Sequence, residues 1–278
     1  MDCKITRAID FKHEPVAVVL TDQKPEKAKQ FKPGKWGCVM FMLAAACKGE
    51  TAVFDRETFG CHGGGTGLGF GNQYKNFPGG EDCFSYFLSV GNSQWETGRQ
   101  MEETVKQFLR PETLDHFIHG ERYIQSPELV KDFISGLPIT DIEFKYVVFK
   151  PLKEIRPGQE TPAIVIFLGN MDQISALSIL ANYHRKTNDN VIFPYCAGCM
   201  SIVLYPLSEA GSDRPKAVLG LNDISARVYL KRLLKDNVMS FAVPFKLFCE
   251  MEENVAESFL ERGPWMELVE MGETKKDK

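Results

Sequence analysis

The chain has 278 residues, is 44 % hydrophobic and carries a formal net charge of −4, so it can bury a sizeable core and has no basic surplus. Nucleic acid is therefore not expected as a partner, because binding it usually needs Lys and Arg clustered and interleaved with aromatic side chains. No apolar run approaches the roughly 20 residues that span a bilayer, and the first residues lack the apolar core of a signal peptide. We expect a cytoplasmic globular protein that does not bind membranes.

The first predicted elements alternate between strand and helix. Residues 15–20 form an apolar, β-branched run that predicts a buried strand, and residues 51–54 predict a second one. Between them, residues 37–48 are rich in Ala, Met and Leu and end at Gly49, which predicts a helix closed by a glycine. The glycine-rich segment 59–72, FGCHGGGTGLGFGN, follows directly.

The middle of the chain gives weaker signals. Residues 72–118 are predicted to be an insertion or a divergent segment, with an amphipathic helix at 96–109. Ser126 and Pro127 then have the residue types of an N-cap and a first helical position, and Gly136 closes that helix.

The second half of the chain again alternates. Asn170 and Gln173 have the spacing of a capping box at the start of a helix. Strands are predicted at 144–149, 162–168 and 191–193, and further helices at 223–235 and 246–262.

These elements predict an α+β or mixed α/β fold in one compact domain, residues 1–271, followed by a disordered tail at 272–278. No Pro- or Ser-rich linker divides the chain. Each half runs strand, helix, short strand and then a cysteine beside glycine, which suggests a weak internal similarity between the two halves.

Eight cysteines in a cytoplasmic chain are expected to be thiols or metal ligands rather than disulfides. Cys47 falls on the same helical side as Met40, Leu43 and Ala44, so it is predicted to be a core residue. Cys38 lies in the first turn of the same helix, where the helix dipole lowers a thiol pKa.

Cys61 precedes Gly63, Gly64 and Gly65, whose backbone N–H groups can approach a sulfur or an anion because no Cβ blocks them. The alternative is that these glycines only allow a tight crossing of chain segments, with Cys61 as buried packing. Nucleotide binding is disfavoured, because the run lacks both the Gly-Lys-Ser/Thr ending and the GxGxxG spacing.

Cys196 and Cys199 have the CxxC spacing of metal ligands and of redox dithiols. A zinc site would usually add a second such pair, and the sequence contains none. Chance proximity among eight cysteines is the third explanation.

The chain resembles the uncharacterised family called domain of unknown function 169. The resemblance is carried by EPVAVVL at 14–20, WGCVMFMLAAACKGE at 36–50, FGCHGGGTGLGF at 59–70, GERYIQSPELVKDF at 120–133 and AIVIFLGNMDQISALSIL at 163–180. It implies four cysteine positions, of which three correspond to Cys38, Cys61 and Cys199. Asp223 stands at the fourth, and a basic family position corresponds to Arg227, which would clamp an anion or favour a thiolate.

The leading hypothesis is an iron–sulfur cluster or transition metal held by Cys38, Cys61 and Cys199, with Cys196 or Asp223 as a fourth ligand. One alternative is a metal-free small-molecule-binding or sensor module that recognises its ligand with the glycine-rich segment. Another is a thiol redox enzyme that uses Cys196 and Cys199. The sequence indicates no reaction, substrate or oligomeric state.

Overall fold

The computed structural model describes residues 1–273. Residues 274–278 of the predicted tail lie outside the described residues. The fold is mixed α/β, as predicted, and combines α-helices with one seven-stranded sheet among the described residues. No helix of residues 1–273 is long and apolar enough to span a membrane.

The sheet has the order β2-β3-β1-β4-β7-β6-β5. Its strands are β1 (Val16–Thr21), β2 (Ala52–Phe54), β3 (Tyr146–Pro151), β4 (Ile164–Gly169), β5 (Val191–Ile192), β6 (Ala217–Gly220) and β7 (Met239–Pro244). The central strands β1 and β4 are antiparallel, with Ala17 opposite Val165. Only β5 and β6 pair in parallel within the sheet of the described chain.

The helices are α1 (Lys4–Ile9), α2 (Val39–Ala46), α3 (His62–Gly67), α4 (Gly80–Leu88), α5 (Glu96–Val105), α6 (Pro111–His119), α7 (Pro127–Ser135), α8 (Met171–Asn182), α9 (Tyr205–Ala210), α10 (Ile224–Leu234), α11 (Phe245–Glu253) and α12 (Gly263–Glu273). A π-helix, Met200–Leu204, joins two helical residues at 198–199 to α9, so residues 198–210 form one continuous helical segment.

The chain divides into two compact units. The first contains residues 1–69 and the chain from residue 142 onward, including the whole sheet, and the second contains residues 70–141. The predicted insertion at 72–118 lies inside the second unit. The prediction of one domain over residues 1–271 stays a prediction.

Successive side chains of the sheet point to opposite faces, so each central strand contributes to two apolar layers. On one face, Val165, Phe167 and Phe241 belong to a core cluster that includes residues of α1, α8 and α11. On the other, Phe54 and Phe149 are in ring contact at 5.0 Å. Helix α2 packs against β2 and β3, and the π-helix packs against β6 and β7.

The second unit is built from helices α4, α5, α6 and α7. Cys83, Val105 and Phe117 form its buried centre. The predicted helix start at Ser126 is confirmed, because its side chain accepts a hydrogen bond from the Leu129 N–H at 3.4 Å.

Local sequence signals located several elements correctly. The capping box at Asn170 is present, with both reciprocal hydrogen bonds at 2.9 Å. The predicted helix at 246–262 was too long, because α11 ends at Glu253. The glycine-rich segment, for which no helix was predicted, contains helix α3, and neither β6 nor β7 was predicted.

Candidate functional site

Four helices of the first unit begin at residues singled out in the sequence or next to them. Cys38 is the N-cap of α2, Cys61 of α3 and Asp223 of α10. Cys199 lies in the first turn of the helical segment 198–210. Helix α2 packs against α10, and α3 packs against the π-helix that follows Cys199.

Helix α3 forms although glycine is a poor helix former, because tertiary contacts fix it. The Cys61 Sγ accepts a hydrogen bond from the Gly64 N–H at 3.2 Å, as an N-cap does. A Cβ on Gly64 would lie 2.7 Å from the Phe59 carbonyl oxygen and 3.1 Å from Cγ2 of Val39 in α2. The absence of a side chain at Gly64 therefore lets α3 approach both its own preceding loop and α2.

Cys199 lies directly against α3. Its thiol donates a hydrogen bond to the Gly63 carbonyl oxygen at 3.1 Å. A Cβ on Gly67 would lie only 2.6 Å from the Cys199 Sγ and 3.0 Å from the Met200 nitrogen. The glycine-rich segment thus creates space for the sulfur of Cys199.

Asp223 connects two helix N-termini. Its Oδ1 accepts from the Ala226 N–H of its own helix at 3.2 Å, and its Oδ2 accepts from the Gly198 N–H at 3.1 Å. A carboxylate in this position is stabilised by the N-terminal dipoles of both helical segments. A Cβ on Gly198 would lie 3.4 Å from the Met40 Sδ, so the start of this segment also contacts α2.

The electrostatics of the thiols reflect their proximity. The pKa of Cys199 is raised well above its ordinary value, first by burial and then by repulsion from Cys61, Cys38 and Asp223. The pKa of Cys38 is also raised, first by burial and then by Cys61. The expectation that the helix dipole lowers the pKa of Cys38 was therefore wrong, because the loss of hydration outweighs the dipole.

Cys196 is at the margin of this group. It is buried, and its pKa is raised to about 12 by burial and then by the charge of Asp223. Cys196 also raises the pKa of Cys199, but its effect is smaller than those of Cys61, Cys38 and Asp223.

Arg227 is committed to backbone and side-chain acceptors of the neighbouring loop. Its guanidinium donates to the carbonyl oxygens of Leu221 and Val238 at 3.2 and 3.3 Å and to the Asn237 Oδ1 at 2.7 Å. These hydrogen bonds connect α10 to the loop before β7, and the role of Arg227 as an anion clamp stays a prediction.

The individual glycines have distinct contacts. Gly63 supplies a carbonyl acceptor to Cys199, Gly64 supplies an N–H to Cys61, and the Gly65 N–H closes the first helical bond to the Cys61 carbonyl at 2.8 Å. Two further residues were not singled out from the sequence: a Cβ would lie 2.6 Å from the Cys199 Sγ on Gly67 and 2.6 Å from the Ala226 Cβ on Gly198. The spacing of Gly64 and Gly67 by three residues, which places both on one helical side, was the available signal.

No group of three or more His, Cys, Asp or Glu side chains within residues 1–273 is arranged to hold one metal ion. All eight cysteines lie in this part of the chain and are present as thiols. A single zinc-like ion requires sulfurs about 2.3 Å from one point, and the cysteines do not meet that requirement as they stand.

Together these observations define a mixed α/β protein in which three thiols and one carboxylate lie at neighbouring helix N-termini. Residues 4–254 match the model of domain of unknown function 169, described as an uncharacterised ArCR family, and the chain belongs to that family. No curated protein and no solved structure matched the chain.

Proposed function

We propose that the protein binds an iron–sulfur cluster, with Cys38, Cys61 and Cys199 as thiolate ligands and Asp223 as the ligand of the remaining iron. The observation that carries the proposal is the contact between the four helix starts. Cys199 bonds to the glycine helix that Cys61 caps, and Asp223 bonds to the N–H of Gly198 beside Cys199.

The donor set suits a soft, cationic centre. Thiolates select iron–sulfur clusters, copper or zinc over hard cations such as magnesium and calcium. A bound cation also reverses the repulsion that raises the thiol pKa values, because a coordinating thiol is deprotonated outright. Helix N-termini at α2 and α10 stabilise the negative charge that three thiolates and a carboxylate bring.

A cluster makes a weaker demand on the positions of its ligands than a single ion does. In a [4Fe–4S] cluster each protein ligand binds a different iron, so the sulfurs need not meet around one point. A single transition metal ion is the second candidate, and its binding would require the three thiols to turn toward one centre.

A non-cysteine ligand has a chemical consequence. An iron held by the carboxylate of Asp223 would be more easily released or more open to an exogenous ligand than one held by thiolate. Because Asp223 also accepts two backbone N–H bonds, its orientation is fixed before any metal binds.

The test is anaerobic purification from an iron-sufficient host, or anaerobic reconstitution with iron and sulfide, followed by metal and sulfide analysis. We expect iron, acid-labile sulfide and visible charge-transfer absorption in fixed proportion to protein. Metal without labile sulfide would replace the cluster by a single ion. Protein with neither would favour the metal-free ligand-binding module or the thiol redox enzyme expected from the CxxC pair.

A further inference from the structure

A cleft lies between α10 and the loop that leads into β7. Its volume is about 140 Å³. Ile224, Val228 and Leu230 of α10 contribute to its apolar wall, together with Val238 of the loop. None of the four proposed cluster ligands lines this cleft, so a ligand could bind there whether or not a cluster is present.

Arg227 is the strongest hydrogen-bond donor in the wall of the cleft. Its Nη1 donates to the carbonyl oxygens of Leu221 and Val238 at 3.2 and 3.3 Å, and its Nη2 donates to the Asn237 Oδ1 at 2.7 Å. These bonds hold the guanidinium against the loop.

The same guanidinium keeps donors for a ligand. An arginine has five N–H donors. No hydrogen bond within residues 1–273 uses the Nε–H of Arg227 or the second hydrogen of its Nη2. Nε and Nη2 lie on the same edge of the guanidinium, and arginine binds carboxylates with two parallel N–H···O bonds. Arg227 is therefore positioned by the loop and can still bind an oxyanion.

The charges around the cleft also favour an anion. Lys231 follows Arg227 by one helical turn, lines the cleft, and makes no ion pair within the described part of the chain. Asp236 lines the cleft as well, but its Oδ2 is 3.1 Å from both the Lys12 Nζ and the His13 Nε2. Because Lys12 offsets the charge of Asp236, the cleft presents the positive charges of Arg227 and Lys231 to a ligand.

The size and the lining of the cleft limit the class of ligand. An apolar cavity of about 150 Å³ holds benzene, so a cleft of this volume fits an apolar group of about six carbon atoms. A carboxylate has two oxygens, which the two N–H groups of Arg227 can satisfy. A phosphate group has a third charged oxygen, and the aliphatic side chains of the wall have no donor for it.

We propose that this cleft binds a small monocarboxylic acid with an apolar body. The carboxylate accepts hydrogen bonds from the Nε–H and Nη2–H of Arg227, and Lys231 adds electrostatic attraction. The apolar body contacts Ile224, Val228 and Val238. Binding is non-covalent, and no proton or electron is transferred.

The test titrates benzoate into the intact protein at about 0.15 M ionic strength and follows binding by ¹H–¹⁵N NMR. We expect benzoate to shift the Arg227 Nε–H resonance. Benzyl alcohol, which has the same ring without the charge, should bind about 10-fold more weakly or less. Arg227→Gln should weaken benzoate binding by about 10-fold or more. An unshifted Nε–H resonance, or tighter binding of inorganic phosphate than of benzoate, overturns the proposal.

A second variant is needed because the bonds from Arg227 to Leu221 and Val238 also support the loop. Lys231→Glu reverses a charge in the cleft without breaking an ion pair, and we expect it to weaken benzoate binding by about fivefold. Arg232→Glu is the matched control, because it makes the same charge change at the next residue of α10 and does not line the cleft. Equal benzoate affinity in these two variants, or unchanged affinity in folded Arg227→Gln, overturns the assignment.

Discussion

Helix α2 carries a thiol at each end, and the two ends differ in what surrounds them. Cys38 at the start shares its environment with Cys61, whose charge raises its pKa further. Cys47 at the end is a buried C-cap whose pKa of about 12 arises from burial and then from Glu14. Burial alone therefore does not distinguish the two cysteines, whereas contact with other helix starts does.

The largest expected effect comes from removing a thiol where the helix starts contact one another. Cys199→Ala should abolish bound iron and labile sulfide, because the Cys199 thiol bonds to α3 at the Gly63 carbonyl oxygen and follows Gly198, whose N–H bonds to Asp223. The metal-free variant should lose about 1 kcal/mol of unfolding free energy through a small cavity. Full iron occupancy in folded Cys199→Ala would exclude this residue as a ligand.

The raised thiol pKa values predict how stability depends on pH. Cys196 has a folded-state pKa of about 12, so it stays protonated where the unfolded chain ionises. The unfolding free energy of metal-free protein should fall as pH rises from about 9 to 12, by on the order of 2–4 kcal/mol for this one group.

Comparison with Cys196→Ala isolates that contribution, since Lys and Tyr groups titrate in the same range. Chemical denaturation at several pH values should show a steeper loss for wild type than for the variant. Equal slopes would mean that Cys196 is hydrated in the folded state.

A substitution at Gly67 tests why the segment 59–72 is rich in glycine. Gly67→Ala places a Cβ against the Cys199 Sγ and the Met200 backbone, which cannot yield freely, so we expect a loss of about 1–3 kcal/mol and of bound iron. Gly211→Ala is the matched control, because its nearest contact would be an ordinary 3.5 Å to the Ser208 oxygen. Thermal unfolding and iron analysis of both variants decide the question, and equal behaviour would remove the packing argument.

The smallest expected effect comes from replacing Asp223, the proposed fourth ligand. Asp223→Cys should slow the release of iron to a chelator several-fold, with a change in unfolding free energy of about 1 kcal/mol or less. A cysteine can act as an N-cap in this chain, because Cys3 and Cys61 both accept from backbone N–H groups. Asp223→Asn should release iron faster than wild type, and identical release from all three proteins would exclude Asp223 as a ligand.

Local signals were sufficient for part of the fold. The cap at Ser126, the capping box at Asn170 and the apolar run of β1 each depend on neighbouring residues, so the sequence predicted them. Helix α3 depends instead on contacts with Val39 and with the distant Cys199, and glycine composition argued against it.

The sequence predicted which residues belong to the candidate site but not the contacts between them. Helix starts and the family pattern singled out Cys38, Cys61, Cys199 and Asp223. The hydrogen bond between Asp223 and Gly198 links residues 25 positions apart. The raised pKa of Cys38 depends on burial of its thiol by the folded chain, which outweighs the helix dipole. Neither can be obtained from spacing along the chain.

The most direct measurement compares the two ends of α2 by iron and sulfide analysis of anaerobically prepared Cys38→Ala and Cys47→Ala. The account predicts that Cys38→Ala loses the cluster, while Cys47→Ala keeps full iron and sulfide and loses about 1 kcal/mol of unfolding free energy. Retention of the cluster in Cys38→Ala, or its loss in folded Cys47→Ala, would contradict the assignment of the metal site to the converging helix starts.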